Sequence, residues 1–434
     1  MKVILLILLL PIHIFASDYQ GFIVQIKDDG IFPSTLQIES KRMKVSSKKL
    51  YLVGEKNGIT KAELEFLRSD VNVDFIEPNY AYQILGNVDG EVIKTNDSLF
   101  EKQWNLNNTG DNFPRTVLHG GKAGKDIRAL RGWEITKGSP EIIVAVMDSG
   151  VDFNHPDIKE NMWVNHEEKN GLPGVDDDGN GYIDDIHGYA FGDDGMGTKP
   201  MDYNGHGTHI AGIVAASENN IGVIGVSPRV KIMALKTRSA KKYFVADIVE
   251  AIDYAINMGA TLITSSIGGN DFSEAYKQAL ERLDQQEMLF VQAAGNHGKN
   301  FRNFTVYPPS YNTRNMINVG NHSGNGKMWM GSNQGIKTVS LFAPGTNIFS
   351  LSNKDYYRNI GDRSHGYRKM SGTSMAAPHV AGALALLYSI EPNIRHLEAK
   401  ERLLLTVAKE RSLKKKCVSG GRLDINRLLR DIRN

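Results

Sequence analysis

Four short segments carry polar side chains among glycines and small residues: Asp148-Ser149-Gly150, Gly205-His206-Gly207-Thr208-His209, Gly295-Asn296 and Gly372-Thr373-Ser374. A carboxylate, an imidazole and a hydroxyl are the side chains that nucleophilic acyl transfer needs. The imidazole takes the hydroxyl proton, the carboxylate orients the imidazole, and the freed oxygen attacks a carbonyl carbon. An amide such as Asn296 can donate to the oxyanion that follows. Ser374 opens an apolar run ending near Ile390. Pro378 lacks an N–H and is tolerated only near a helix start, so the helix must begin within a residue or two of Ser374. Ser374 then lies beside unpaired backbone donors at the positive end of a helix.

Each segment also has a plainer reading. Ser374 could cap a core helix and Asp148 could cap a turn. His206 and His209 are three apart, but no glutamate follows His206 as in a zinc-binding His-Glu-x-x-His helix. His209 is therefore read as structural and His206 as the candidate base.

The elements that must position these residues alternate along the chain. Strands are expected at Ile142–Met147, Ile232–Leu235, Leu262–Ser266, Leu289–Ala294 and Ile317–Val319, and helices at Thr208–Ala216, Ala246–Met258 and Phe272–Gln286. Alternation of this kind predicts an α/β domain, a mostly parallel sheet flanked by helices. Asp148 and Asn296 then fall at or just beyond strand ends, where open α/β sheets place their sites. Ahead of it, residues 17–88 read as a small α+β unit. It has strands at Gly21–Ile26, Leu50–Val53 and Val71–Ile76, the last ended by Pro78, and a helix at Lys61–Ser69 with Thr60 and Glu63 as its capping box. Residues 89–96 read as an exposed linker.

The chain has 434 residues, 51 basic and 49 acidic, a near balance that gives no electrostatic reason to expect a nucleic acid or a membrane surface as partner. One cysteine, Cys417, excludes an intramolecular disulfide. Lys2, the apolar run to Ala16 and that small final residue read as a secretory signal over residues 1–16. Its removal would leave no membrane span and a secreted or periplasmic protein; an uncleaved anchor is the other reading.

The motifs Asp148-Ser149-Gly150-Val151-Asp152, Gly205-His206-Gly207-Thr208-His209, Ala293-Ala294-Gly295-Asn296 and Gly372-Thr373-Ser374-Met375-Ala376-Ala377-Pro378 stand in the chain order Asp, His, Ser that the handful of known triads assigns to subtilisin. The sequence resembles the subtilisin-like serine proteases over residues 97–425, which implies a subtilisin-like catalytic domain over residues 97–434. The resemblance implies a secreted endopeptidase in which Ser374 is the nucleophile, His206 the base, Asp148 its orienter and Asn296 an oxyanion donor. It implies that Ser266, Ile267 and Gly268 bind the substrate backbone and wall the specificity pocket. Thr264 stands where relatives commonly carry asparagine. Phe75-Ile76-Glu77-Pro78-Asn79-Tyr80 resembles the end of a subtilase propeptide, which implies that residues 17–88 fold and inhibit the enzyme before removal; a permanent accessory domain is the alternative. The implied partners are polypeptide substrates and the propeptide, and the enzyme is expected to be a monomer. A catalytically inactive subtilase fold used for binding or adhesion is the reading from another class.

Calcium is expected at two places. In Asp176–Asp184 the oxygen ligands Asp176, Asp178, Asn180 and Asp184 occupy positions one, three, five and nine of an EF-like loop, with Gly181 at six and the Tyr182 carbonyl at seven. His187 takes position twelve, where such loops carry glutamate, and a solvated acidic turn is the plainer reading. Separately, the resemblance implies a site from the side chains of Asp97, Asp157 and Asn219 and the carbonyls of Ser217, Ile221 and Val223. Lys241 and Lys242 border the substrate in relatives, or form a solvated pair.

Overall fold

The computed structural model describes residues 19–27, 30–33, 40–42, 49–54, 59–80, 95–114, 120–191, 198–239, 242–353 and 366–430. The expectations for residues 1–16, for the linker as far as residue 94 and for Lys241 lie outside these. The chain divides into two compact units, Met1–Glu91 and Val92–Asn434.

In the first unit, strands β1 (Tyr19–Ile26), β2 (Ser40–Arg42), β3 (Lys49–Val53) and β4 (Val73–Tyr80) form an antiparallel sheet in the order β2-β3-β1-β4. Helix α1 (Lys61–Ser69) carries the expected capping box, with Thr60 Oγ1 accepting from Glu63 N and Glu63 Oε2 from Thr60 N. Val24, Ile26, Val53, Ile59, Leu64 and Leu67 make its small core. Pro78 does not end the strand, which runs on to Tyr80. β4 lies at the sheet edge, where a residue without an N–H is accommodated.

The second unit is built on a nine-stranded sheet. Its strands are β5 (Ile143–Asp148), β6 (Gly188–Ala190), β7 (Lys231–Lys236), β8 (Leu262–Ser265), β9 (Leu289–Ala293), β10 (Met316–His322), β11 (Leu341–Pro344), β14 (Ala408–Lys409) and β15 (Gly421–Arg422). The hairpin β12 (Ile348–Leu351) and β13 (Tyr367–Met370) stands apart. The order across the sheet is β14-β15-β11-β10-β9-β8-β5-β7-β6, and every pair is parallel except β14 with β15. Both faces are covered, so the strands read as unbroken apolar runs rather than alternating ones. Along β5, Val144 and Val146 join the core shared with α2 (His206–Ala215) and α5 (Thr373–Ile390). Ala145 and Met147 join the core shared with α3 (Val245–Asn257) and α4 (Glu274–Gln285). α5 is long and apolar enough to cross a membrane, but it is almost wholly buried inside the protein, which is why it is apolar all round.

Candidate active site

Asp148 is the last residue of β5 and 1% exposed. Its Oδ1 accepts from Ser149 N and from His206 Nδ1, each at 2.7 Å. A carboxylate can only accept, so Nδ1 carries the imidazole proton and Nε2 is left with a lone pair. His206 opens α2 with its side chain 23% exposed. The preceding Gly205 has φ +85°, a left-handed conformation that glycine adopts without strain. Gly207 lets the helix press onto the loop after Asp148, since a Cβ there would lie 2.1 Å from Gly150 O. Burial pulls the His206 pKa down, but the charge and hydrogen bond of Asp148, aided by Asp202, leave it above the ordinary value. His209, one turn on, is fully buried and near Arg368. It is pushed down to about 3 and stays neutral, with Nε2 donating to Ile348 O and Arg368 O.

The residue beneath this arrangement is Asp202, which sequence reasoning missed. It is fully buried. Oδ1 accepts from Ser149 Oγ, Asn204 N and Gly205 N, and Oδ2 from Thr208 N and Thr208 Oγ1. Ser149 Oγ in turn accepts from Gly207 N. One carboxylate thus satisfies orphan donors of the α2 start and joins them to the loop behind Asp148. The available signal was an aspartate four residues ahead of a helix whose own N-cap is glycine.

Ser374 lies in the first turn of α5. Asn296 stands three residues beyond β9, and its Oδ1 accepts from Thr373 N at 2.8 Å and Thr373 Oγ1 at 3.0 Å. With the oxygen so held, Nδ2 is the end left to donate, as is the Ser374 N–H. Pro378 cannot donate to the carbonyl of Ser374, and Ser266 Oγ donates to it instead at 3.2 Å. Ser266, Ile267, Gly268, Asn296 and Ser374 line one cleft of about 210 Å³. Lys242 lines a neighbouring hollow with Tyr243, Tyr276 and Tyr307. The packing of α2 on α5 brings the two halves of the site together. Ser374 Oγ and His206 Nε2 are not hydrogen-bonded to one another, and such contacts commonly close only with substrate in place.

The donor sets expected for calcium differ in kind. Asp97 and Asp157 are both buried beside the loop 217–223. Asp97 Oδ1 accepts from Asn219 N, Asp157 Oδ2 from Val223 N, Asn219 Oδ1 from Ile221 N, and Ser217 N donates to Asp157 O. Asp157 Oδ1 is buried with no hydrogen-bond partner. Burial first, then the Asp97 charge, lifts Asp157 to about 7 against hydrogen bonds from Val223, Tyr367 and Asn219. Two buried carboxylates, one with an orphaned oxygen, fit a hard cation.

In the acidic loop, Glu168, Asp176 and Asp178 bring ligand atoms within 4.8 Å of one another. Glu168, buried in the short helix His166–Asn170, reaches in from upstream and accepts from Asp177 N and Asp184 N. Asp184 lies outside that group and accepts from Gly174 N at 3.0 Å. Tyr182 puts its hydroxyl on Glu250 and its ring against Tyr189 and Tyr254. Asn180 N is held by Asp176 and Asp178, and His187 Nδ1 donates to Trp163 O. Glu168 could not be found from loop spacing because it precedes the loop.

The subtilase family model matches residues 139–421. Subtilisin-like protease 1 of Plasmodium falciparum is 35% identical over 304 residues, 65% of this chain and 42% of that protein, so the chain spans less than half of its length. The thermophilic serine proteinase of a Bacillus species is 32% identical over 77% of this chain and 68% of its own. The major intracellular serine protease of Bacillus subtilis is 35% identical over 62% and 74%. Among solved structures, a protease of Pseudoalteromonas arctica superposes with TM-score 0.58 at 26% identity, covering 77% of this chain and 99% of that one.

Proposed function

We propose, from the premise that this chain belongs to the subtilase family, that it is a serine endopeptidase cleaving polypeptides through an acyl-enzyme. One observation carries the reading. The 2.7 Å bond from His206 Nδ1 to Asp148 leaves Nε2 basic, in a domain where Asn296 is clamped beside Ser374 by Thr373. In the forward step His206 Nε2 takes the Ser374 Oγ proton as Oγ attacks the peptide carbonyl. Asn296 Nδ2 and Ser374 N–H hold the oxyanion. His206 then protonates the leaving amine, and a water activated by the same imidazole hydrolyses the ester. Asp148 keeps the tautomer and stabilises the imidazolium between the two transfers. Labelling with a serine-directed phosphonate, lost in Ser374→Ala, tests this. An unlabelled wild-type protein would favour an inactive binding module.

The run Lys2–Ala16 supports export, and the small first unit supports a propeptide that Ser374 removes by cutting between Gln83 and Asn96. Asp97 then stays with the mature enzyme. Purified Ser374→Ala protein should keep the first unit, and the active form should begin between Ile84 and Asp97. Calcium would be held by Asp97, Asp157, Asn219 and the carbonyls of Ser217, Ile221 and Val223, and by Glu168, Asp176 and Asp178, with Asn180, Tyr182 and Asp184 around them. When bound it would neutralise carboxylates that the protein leaves unpaired.

A further inference from the structure

The loop that begins at Asn296 leads from the Ser374 cleft to a second hollow of about 730 Å³, whose lining includes Asn300, Phe301, Arg302, Ile336, Lys337 and Lys415. Four residues of extended chain span at most about 14 Å, so Asn300 at the hollow lies within that distance of Asn296, Cα to Cα. Three loops build the hollow and are laced together through the backbone. Phe301 N donates to Gln334 O and Gln334 N to Lys299 O, each at 2.9 Å, and Gly335 N donates to Lys416 O at 2.8 Å. Val339, Leu413 and Cys417 belong to a small buried core that these loops share, with Phe301 packed against it.

The charge on these loops is of one sign. Segments 297–309, 323–340 and 410–420 carry Lys299, Arg302, Lys327, Lys337, Arg411, Lys414, Lys415 and Lys416, with Glu410 as their only carboxylate. Glu410 is engaged by Lys125 and, at 3.2 Å, by Arg422. Among the described residues no carboxylate lines the hollow and no ion pair engages Arg302, Lys337 or Lys415, all three exposed. In a chain whose 51 basic and 49 acidic residues nearly cancel, this imbalance gives the hollow a positive potential. Phe301 and the 53% exposed Ile336 add apolar surface beside the cations.

We propose that this hollow is an exosite that holds an acidic stretch of the polypeptide substrate, a few residues from the bond cut at Ser374, and so favours cleavage sites flanked by aspartate or glutamate. The inference rests on the peptidase reading of the cleft. A chain threaded past Ser374 reaches the hollow within a few residues, so the second contact is made intramolecularly. Each exposed ion pair contributes little alone, but three cations around one concave surface act on the same segment. The gain is one of binding, so it appears in KM. It weakens with salt, which screens such charges over about 10 Å at 0.1 M.

The test starts from a core peptide taken from a site that the enzyme cuts in denatured casein. It is extended on either side of the cut, through a short Gly-Ser spacer, by a run of Glu or by the matching run of Gln. At low ionic strength the wild type should show kcat/KM on the order of tenfold higher for the Glu flank on one side, through KM. The ratio should fall towards one at high salt and in the triple variant Arg302→Gln, Lys337→Gln, Lys415→Gln, which should cleave the unflanked core as the wild type does. Equal kcat/KM for Glu and Gln flanks on both sides overturns the proposal and needs no variant to fold. A preference undiminished in the folded triple variant overturns it as well. Binding to phosphatidylserine vesicles that the triple variant loses, without any flank preference, would assign the hollow to a membrane surface and overturn it too. Phosphonate labelling separates the failures. A labelled enzyme without flank preference refutes this inference alone, and an unlabelled protein that cuts neither casein nor peptide refutes the peptidase reading and this inference with it.

Discussion

The candidate active site and the two acidic regions differ in how their charges are balanced. At the candidate active site, Asp148 is answered by His206 within the protein, and Asn296 is oriented by Thr373 before any substrate arrives. Around Asp157 and around Glu168 the carboxylates face one another, and the partners they have are backbone donors and neutral side chains. The candidate active site is thus preorganised from within, whereas the acidic regions need a charge from outside. Changes at the active site should remove turnover and spare stability. Changes in charge balance at the acidic regions should do the reverse.

The sharpest test of that division is Ser374→Ala, expected to lower kcat by about 10⁶, the magnitude found for the nucleophile of subtilisin itself. The melting temperature should stay within a degree or two, and a large fall would mean that the cleft also carries stability. Next in size, Asn296→Ala should lower kcat by about 10²–10³ with KM little changed, because the oxyanion exists only in the transition state; the magnitude is again that of subtilisin. Steady-state kinetics on one peptide would decide, and a rise in KM alone would recast Asn296 as a binding residue.

Chelation should act on the other side of the comparison. Removing a cation that occupies only the folded state, at about 100 times its dissociation constant, costs about 2.7 kcal/mol. Melting temperature should fall on chelation and recover with added calcium. Asp157→Asn should reduce that dependence if the Asp157 region is its main source. A melting temperature indifferent to chelator would leave both acidic regions without a bound ion.

The smallest effect is on pH. His206 acts as a base only when neutral, and its folded pKa lies above the ordinary 6.5. Activity should therefore fall as pH drops through a midpoint above 6.5. The stabilisation from the His206–Asp148 pair runs the opposite way: it is fully present below the unfolded pKa and lost as pH rises through the folded one. Asp202→Asn removes a charge that raises His206, and its NH₂ end can no longer accept from the backbone donors on one side of the cap; the acid limb of kcat/KM should move to lower pH by less than about one unit. An unmoved limb with lowered kcat would make Asp202 purely a scaffold.

The amino-acid sequence alone determined the alternation of strand and helix. β5, β7, β8, β9 and β10 and the helices between them fall within a few residues of where apolar runs and periodicity put them, because those signals are local. The candidate triad and Asn296 were legible for a related reason: each sits in a short glycine-flanked motif at an element's end. Edge position decided that Pro78 could stay inside a strand. Only tertiary structure decided which distant groups complete each site. It brought Asp202 under α2, Glu168 into a loop it precedes, and Ser266 onto the carbonyl that Pro378 leaves open. These are hydrogen bonds between residues far apart in the chain or set by packing, and residue spacing encodes no such direction.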